Sequence, residues 1–138
     1  MADSSDIDQA LIAKLGADGS LLALTPNGVY YDEAPPGATR FVIVSLVSGF
    51  DEPQFGGRSF EDATYLVEAR MLSTAGGDIK AAAARIDALL ENGSLTVSGY
   101  SLMTMRRIER VRMTEVDDVD PSIRWQRRGG RYQVVCSL

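Results

Sequence analysis

The chain has 138 residues, 45% of them hydrophobic and 24% charged, with a formal net charge of −5, which is one domain's length with a globular protein's apolar content. One cysteine and no histidine exclude an internal disulfide, a cysteine-based metal cage, and Ser-His-Asp or Cys-His catalysis that uses a histidine of this chain. The acidic balance argues against a stand-alone nucleic-acid binder. In chain order, Ser4-Ser5-Asp6 is a helix N-cap signal. Ile7, Ala10, Leu11 and Leu15 follow at helical spacing, and Gly16 ends the helix. Asp18 to Leu24 reads as a second, short helical turn, Thr25-Pro26-Asn27-Gly28 as a turn, and Val29 to Tyr31 as a short strand. The paired prolines of Asp32 to Gly37 bar regular structure there.

Arg40 to Ser48 is the best strand, and its β-branched run predicts burial on both faces near its start. Residues 49–59, rich in Gly and bearing Phe50 and Phe55, read as a long hairpin loop. Phe60 to Ser73 then returns as a long antiparallel strand. Its alternation sets Tyr65, Val67, Ala69 and Met71 on one face, and Leu66, Glu68, Arg70 and Leu72 on the other. Asp78 caps the clearest helix, Ile79 to Glu91, whose stripe is Ile79, Ala82, Ala83, Ile86, Leu89 and Leu90; Asn92-Gly93 stops it. Strands follow at Leu95 to Val97, Tyr100 to Met105 and Arg107 to Val116. Asp117 to Pro121 and Gly129-Gly130 read as turns, and Arg131 to Leu138 as the last strand. The expected fold is α+β: a mainly antiparallel sheet with a long β-hairpin, one main helix packed on one face, and an N-terminal helix. We expect a single domain over 1–138. The first twenty residues hold four Asp and no basic n-region, and no apolar run approaches the ~20 residues of a membrane helix, so the expected setting is soluble and cytoplasmic.

Charge is unevenly placed. Residues 1–69 carry eleven acidic and three basic side chains, whereas residues 70–138 carry eight acidic and eleven basic ones. Arg106, Arg107, Arg110 and Arg112 crowd one strand. Strict alternation would set Arg106, Arg110 and Arg112 on one face with Ile108 and Thr114, and Arg107 on the other with Glu109, Val111 and Met113. A solvated face with weak ion pairs is the plain interpretation. An arginine face meeting the acidic face of another copy, head to tail, is the functional one. The remaining chemistry is thin. Asp117, Asp118 and Asp120 lack EF-hand spacing, and Asp32-Glu33 and Asp51-Glu52 are loop pairs with no sign of a cleft. No phosphate loop is present. Cys136 alternates with apolar residues as a small buried hydrophobe, and Trp125 suits core or interface equally. We expect no catalytic residue, metal or cofactor.

In layout the chain resembles the tail terminator (tail completion) proteins of long-tailed bacteriophages. The resemblance runs through the N-terminal helix, Asn27-Gly28-Val29-Tyr30, the link DEAPPG, the strand RFVIVSLVS, a long hairpin loop, the strand ATYLVEARMLS, the helix DIKAAAARIDALLENGSL and the closing RYQVVCSL. It implies a non-enzymatic virion protein, assembled in the bacterial cytoplasm. Copies would form a hexameric ring that caps the tail tube, ends its growth and joins tail to neck and head. The implied partners are the tail tube protein, a neck or head-completion protein, and DNA that passes through without sequence-specific binding. The candidate interface residues are Phe50, Phe55 and Arg58 on the hairpin loop, with Arg106, Arg110 and Arg112 on the arginine strand. The rival interpretations are another neck component (a head-closure or stopper protein), a tail tube subunit and, more distantly, a small-ligand-binding module of the host.

Overall fold

Ile7, Leu11 and Leu15 all lie on the buried stripe of the first helix, α1 (Ser4–Gly16). The computed structural model describes residues 4–54, 57–72, 76–116, 119–120 and 124–137. The short helix α2 (Gly19–Leu24) starts where Asp18 accepts a hydrogen bond from the Leu21 amide at 2.9 Å, satisfying one of the amides a helix start leaves open. It ends at buried Thr25, whose amide and hydroxyl both donate to the Leu21 carbonyl. Asn27 then clips the next two segments together: its side-chain oxygen accepts from the Thr39 and Arg40 amides at 3.1 and 3.0 Å.

Five strands form one sheet in the order β1-β2-β3-β5-β4: β1 (Val29–Tyr31), β2 (Arg40–Gln54), β3 (Gly57–Leu72), β4 (Ser101–Val116) and β5 (Arg124–Ser137). β1 pairs with β2 in parallel, and every other pairing is antiparallel. The main helix, α3 (Gly76–Leu90), packs on β5, β3 and β4, and α1 packs on β1 and β2. The core lies between these helices and one sheet face: Val42, Val44, Tyr65, Val67, Ala69, Met71, Tyr132, Val134 and Cys136 meet Ile7, Leu11, Ile79, Ile86 and Leu90. The expected α+β architecture is the observed one. So is two-sided burial at the start of β2, where Phe41, Val42, Ile43 and Val44 are all buried.

Four local expectations are corrected. Residues 49–59 are mostly strand, because β2 runs to Gln54 and β3 starts at Gly57, with pairing continuous through Phe50↔Asp62 and Gln54↔Gly57. Backbone pairing here overrides the glycines and Pro53, the register slipping once between Glu52 and Pro53. Leu95 to Val97 is no strand; a single bridge joins Val97 to Tyr100. Helix α3 begins at Gly76, so Asp78 sits in its first turn rather than at its cap, and there it holds Arg40 at 2.9 Å. Gly129-Gly130 is the middle of β5, not a turn. The helix stop at Asn92 is as expected: Asn92 takes a left-handed conformation, φ 54°, which asparagine tolerates better than most residues.

One ion pair ties α2 to α3. Arg85 grips both carboxylate oxygens of Asp18 at 2.6–2.7 Å. Its hydrogen bonds, with the Leu21 amide adding to them, hold the Asp18 carboxyl at a pKa of about 2 despite desolvation. A depressed folded-state pKa contributes stability above the unfolded value, and that contribution disappears as pH falls through the folded value. Asp18→Asn keeps the N-cap acceptor and removes the charge. The variant should be less stable than the parent at pH 6, and the gap should close between pH 4 and pH 2 when urea unfolding is followed at each pH.

Candidate assembly surface

β4 is the longest exposed feature of the fold: sixteen residues at the sheet edge, with only Met105 fully buried. Met103, Ile108, Met113 and Val116 stand about half exposed along it. Long apolar edge strands template pairing with other chains unless something blocks them. The strand's faces differ from strict alternation. Register slips between Arg107 and Glu109, so Ile108 is an extra residue in the ladder. Such a bulge reverses which side chains share a face. Arg106, opposite Gln133, therefore lies on the outer face with Glu109, Val111, Met113 and Glu115. Arg107, Arg110 and Arg112 lie on the helix face, opposite Tyr132, Gly130 and Arg128. The expected union of Arg106 with Arg110 and Arg112 is thus undone, and Arg107 joins that pair instead.

On the helix face the charges differ between the two ends of the groove beside α3. At the C-terminal end of α3, Arg107 meets Asp87 at 3.0 Å and its amide donates to Glu91, while the Tyr132 hydroxyl donates to Asp87 at 3.0 Å. Toward the helix start, Ala83 and Ala84 precede Asp87 by four and three residues, which puts them on the same side of the helix. There the strands offer Arg110, Arg112 and Arg128, none of which has an ion pair or side-chain hydrogen bond among the described residues. Ile79, Arg112, Thr114, Gln126 and Arg128 line a cavity of about 210 Å³ at this end.

The outer face holds a network that sequence reasoning missed. Glu68 is fully buried there. One of its oxygens, Oε1, takes Arg70 and Arg127 together at 2.7–2.8 Å. Arg127 reaches on to Glu115. The other oxygen, Oε2, has no hydrogen-bond partner among the described residues. Beside it Phe41 and Trp125 pack with their rings tilted by 60° and their centroids 5.7 Å apart, so Trp125 serves the subunit's own packing. The signal was present in the sequence as a lone carboxylate between Val67 and Ala69 with Arg70 two residues on. Nothing in the sequence marked Arg127 as its second partner.

Of the other residues named from sequence, Phe55 lies outside the described residues, as do Asp117 and Asp118. Phe50 and Arg58 belong to strands β2 and β3. Asp120 is exposed. Cys136 is fully buried, and burial, aided by the nearby Glu61 charge, raises its thiol pKa to about 11, as suits a packing residue rather than a nucleophile. Among the described residues no group of three or more His, Cys, Asp or Glu could hold a metal ion, and no helix is long and apolar enough to cross a membrane.

Among the described residues this α+β subunit thus leaves β4, sixteen residues long, open at a sheet edge, with arginines that lack ion pairs beside it. The comparisons with known proteins name the class. The chain belongs to the family described as Tail completion protein gp17, which matches residues 9–125. That family is structural and non-catalytic, and the chain's role is that of a tail terminator, capping the tube in phage tail assembly. A chain of the virion of a native gene transfer agent particle aligns over 99% of this chain and 98% of its own length, with 22% identity and a TM-score of 0.70. A second solved chain aligns over 97% and 96%, with 17% identity and a TM-score of 0.57. These likenesses show the shared fold. No curated protein matches the sequence.

Proposed function

We propose that copies of this chain close into a ring, of six by the family resemblance, on the end of a finished tail tube. The tail tube protein binds one side, a neck or head-completion protein binds the other, and DNA passes through without sequence-specific contacts. Assembly takes place in the cytoplasm of the infected bacterium. The observation that carries this is the sheet itself, which is open at both edges. Among the described residues β4 has no neighbour along its outer side, and β1 pairs only with Val42 to Val44 of β2. Two different open edges on one subunit suit a head-to-tail contact, which closes into a ring when the rotation per copy divides a full turn. The tip of the β2–β3 hairpin, with Phe50, Phe55 and Arg58, is the proposed contact with a neighbour or the tube. Arg106, on the outer face, and Arg110 and Arg112, on the helix face, are the proposed subunit contacts. Electron microscopy of tail tubes polymerised with and without the protein tests this. Tubes of fixed length with a ring at one end are expected, and a length distribution that the protein leaves unchanged would sink the proposal.

A further inference from the structure

Arg112 and Arg128 stand directly opposite each other on the helix face of β4 and β5. Like charges in that position destabilise a sheet. Both line the cavity of about 210 Å³ beside the start of α3, together with Ile79, Thr114 and Gln126. The levels of helix and sheet agree. Ile79 precedes Asp87 by eight residues, about 12 Å of helix. Arg128 precedes Tyr132, which bonds Asp87, by four, about 13 Å of strand.

Every carboxylate on the three elements that frame this cavity is engaged elsewhere. α3 holds Asp78 and Asp87, β4 holds Glu109 and Glu115, and β5 holds none. Asp78 pairs with Arg40, Asp87 with Arg107, Glu109 with Arg131 and Glu115 with Arg127. Lys80, exposed in the first turns of α3, and Arg110, two residues from Arg112 on the same face, add positive charge to this end. Arg106 and Arg124 also lack a carboxylate among the described residues, yet neither lines this cavity. Arg106 bonds Gln133 on the outer face, and Arg124 lies opposite Val116 at the end of β5. The Arg112–Arg128 pair is set apart by facing one enclosed space from both sides.

We propose that this cavity binds one phosphate group, as the free ion or as a monoester, between Arg112 and Arg128. Charge selects it: a phosphate monoester carries about −1.5 to −2 at neutral pH and three acceptor oxygens, so both planar guanidinium forks find acceptors. A carboxylate has one charge and two oxygens, and leaves one arginine uncompensated. Size agrees, because the cavity is smaller than the roughly 300 Å³ at which small-molecule pockets begin, so it takes the phosphate and not a whole nucleotide. A DNA backbone presents a row of phosphates, of which this cavity meets one, on a chain of net charge −5. The bound group relieves the repulsion between the two arginines and ties the start of α3 to the β4–β5 edge. The site lies within one subunit and does not depend on the ring.

The test is thermal unfolding and isothermal titration calorimetry of the full-length chain with inorganic phosphate, the ionic strength held constant with sodium chloride. A dissociation constant on the order of 1 mM is expected, and 10 mM phosphate should raise the melting temperature by about 5 °C over chloride. Arg112→Gln and Arg128→Gln should each weaken phosphate binding about tenfold or more. In chloride each should melt at or above the parent's temperature, because the like-charged pair is gone, which separates a lost site from a lost fold. Arg106→Gln and Arg124→Gln should keep the parent's response, and loss in either overturns the proposal as a general charge effect. A parent that does not respond to phosphate overturns it, as do Arg112→Gln and Arg128→Gln variants that respond as the parent does. Equal stabilisation by acetate overturns it too, and makes the pair a receptor for a protein carboxylate. So does duplex DNA binding that needs Arg112 in a chain indifferent to free phosphate, which makes the pair a backbone contact.

Discussion

Gly129→Ala is expected to lower the unfolding free energy by about 3 kcal/mol, the upper part of the range for forcing atoms into a packed site, and to lower the melting temperature by roughly 10 °C. The cause is position. Gly129 lies in the middle of β5, between β3 and β4, and a Cβ there would sit 2.0 Å from the Val67 carbonyl oxygen and 2.6 Å from the Glu68 Cα. Both are main-chain atoms of a central strand, so no side chain can swing aside to make room. Gly130, next along, is shut in on the other side: its Cβ would lie 2.9 Å from the Glu109 carbonyl oxygen, beside the bulge at Ile108. The glycine pair lets β5 pass closely between its neighbours where the bulge turns β4. Gly16→Ala is the control. Nothing lies within 4 Å of the added atom at the end of α1, and the change should alter stability by less than about 1 kcal/mol. Paired urea and thermal unfolding of the two variants checks both values. Equal stabilities would show that the sheet relaxes around the new methyl group.

Glu68→Ala has an expected effect at least as large, a loss of about 3–5 kcal/mol, the range for breaking a buried ion pair from one side. The carboxylate is fully buried, while Arg70 and Arg127, 28% and 18% exposed at their side chains, both direct their guanidinium groups at its Oε1. Removing it leaves two partly desolvated cations facing each other. Glu115 then holds Arg127 alone, from a side chain that is half in water. Arg70→Met should cost clearly less, because Arg127 still neutralises Glu68. Urea unfolding of the two variants separates the cases. A larger loss for Arg70→Met would place the weight of the network on that side. The network joins β3, β5 and β4. It fixes the central strands whose rows carry Arg110 and Arg112 at one edge and β1 at the other.

Sequence periodicity located the helices and most strands because each buries one face. Ile7, Leu11 and Leu15 recur at helical spacing, and Tyr132, Val134 and Cys136 alternate as a half-buried strand must. It failed where long-range pairing decides the outcome. Gly129-Gly130 carries the local signal of a turn, yet its neighbours β3 and β4 lie far off in the chain and need a strand without side chains between them. The residues from Gly49 to Gln54 read as a loop for the same reason: pairing with β3 supplies hydrogen bonds that local preference does not reveal. Arg106 was placed with Arg110 and Arg112 because alternation has no means of sensing the bulge at Ile108, which exists only as a mismatch with β5.

The sequence alone determined that this is one acidic α+β chain without histidine, with its negative charge in the first half and its arginines in the second. Those are properties of composition and order, independent of folding. Only the tertiary structure decided what that polarity means. Strand order β1-β2-β3-β5-β4 carries the chain's two halves to opposite edges of one sheet. Pairing then gives carboxylates within the subunit to Arg70, Arg85, Arg107, Arg127 and Arg131. Among the described residues it leaves Arg110 and Arg112 without a carboxylate on the helix face and Arg106 without one on the outer face, because ladder register, rather than sequence spacing, sets which side chains share a face of a sheet.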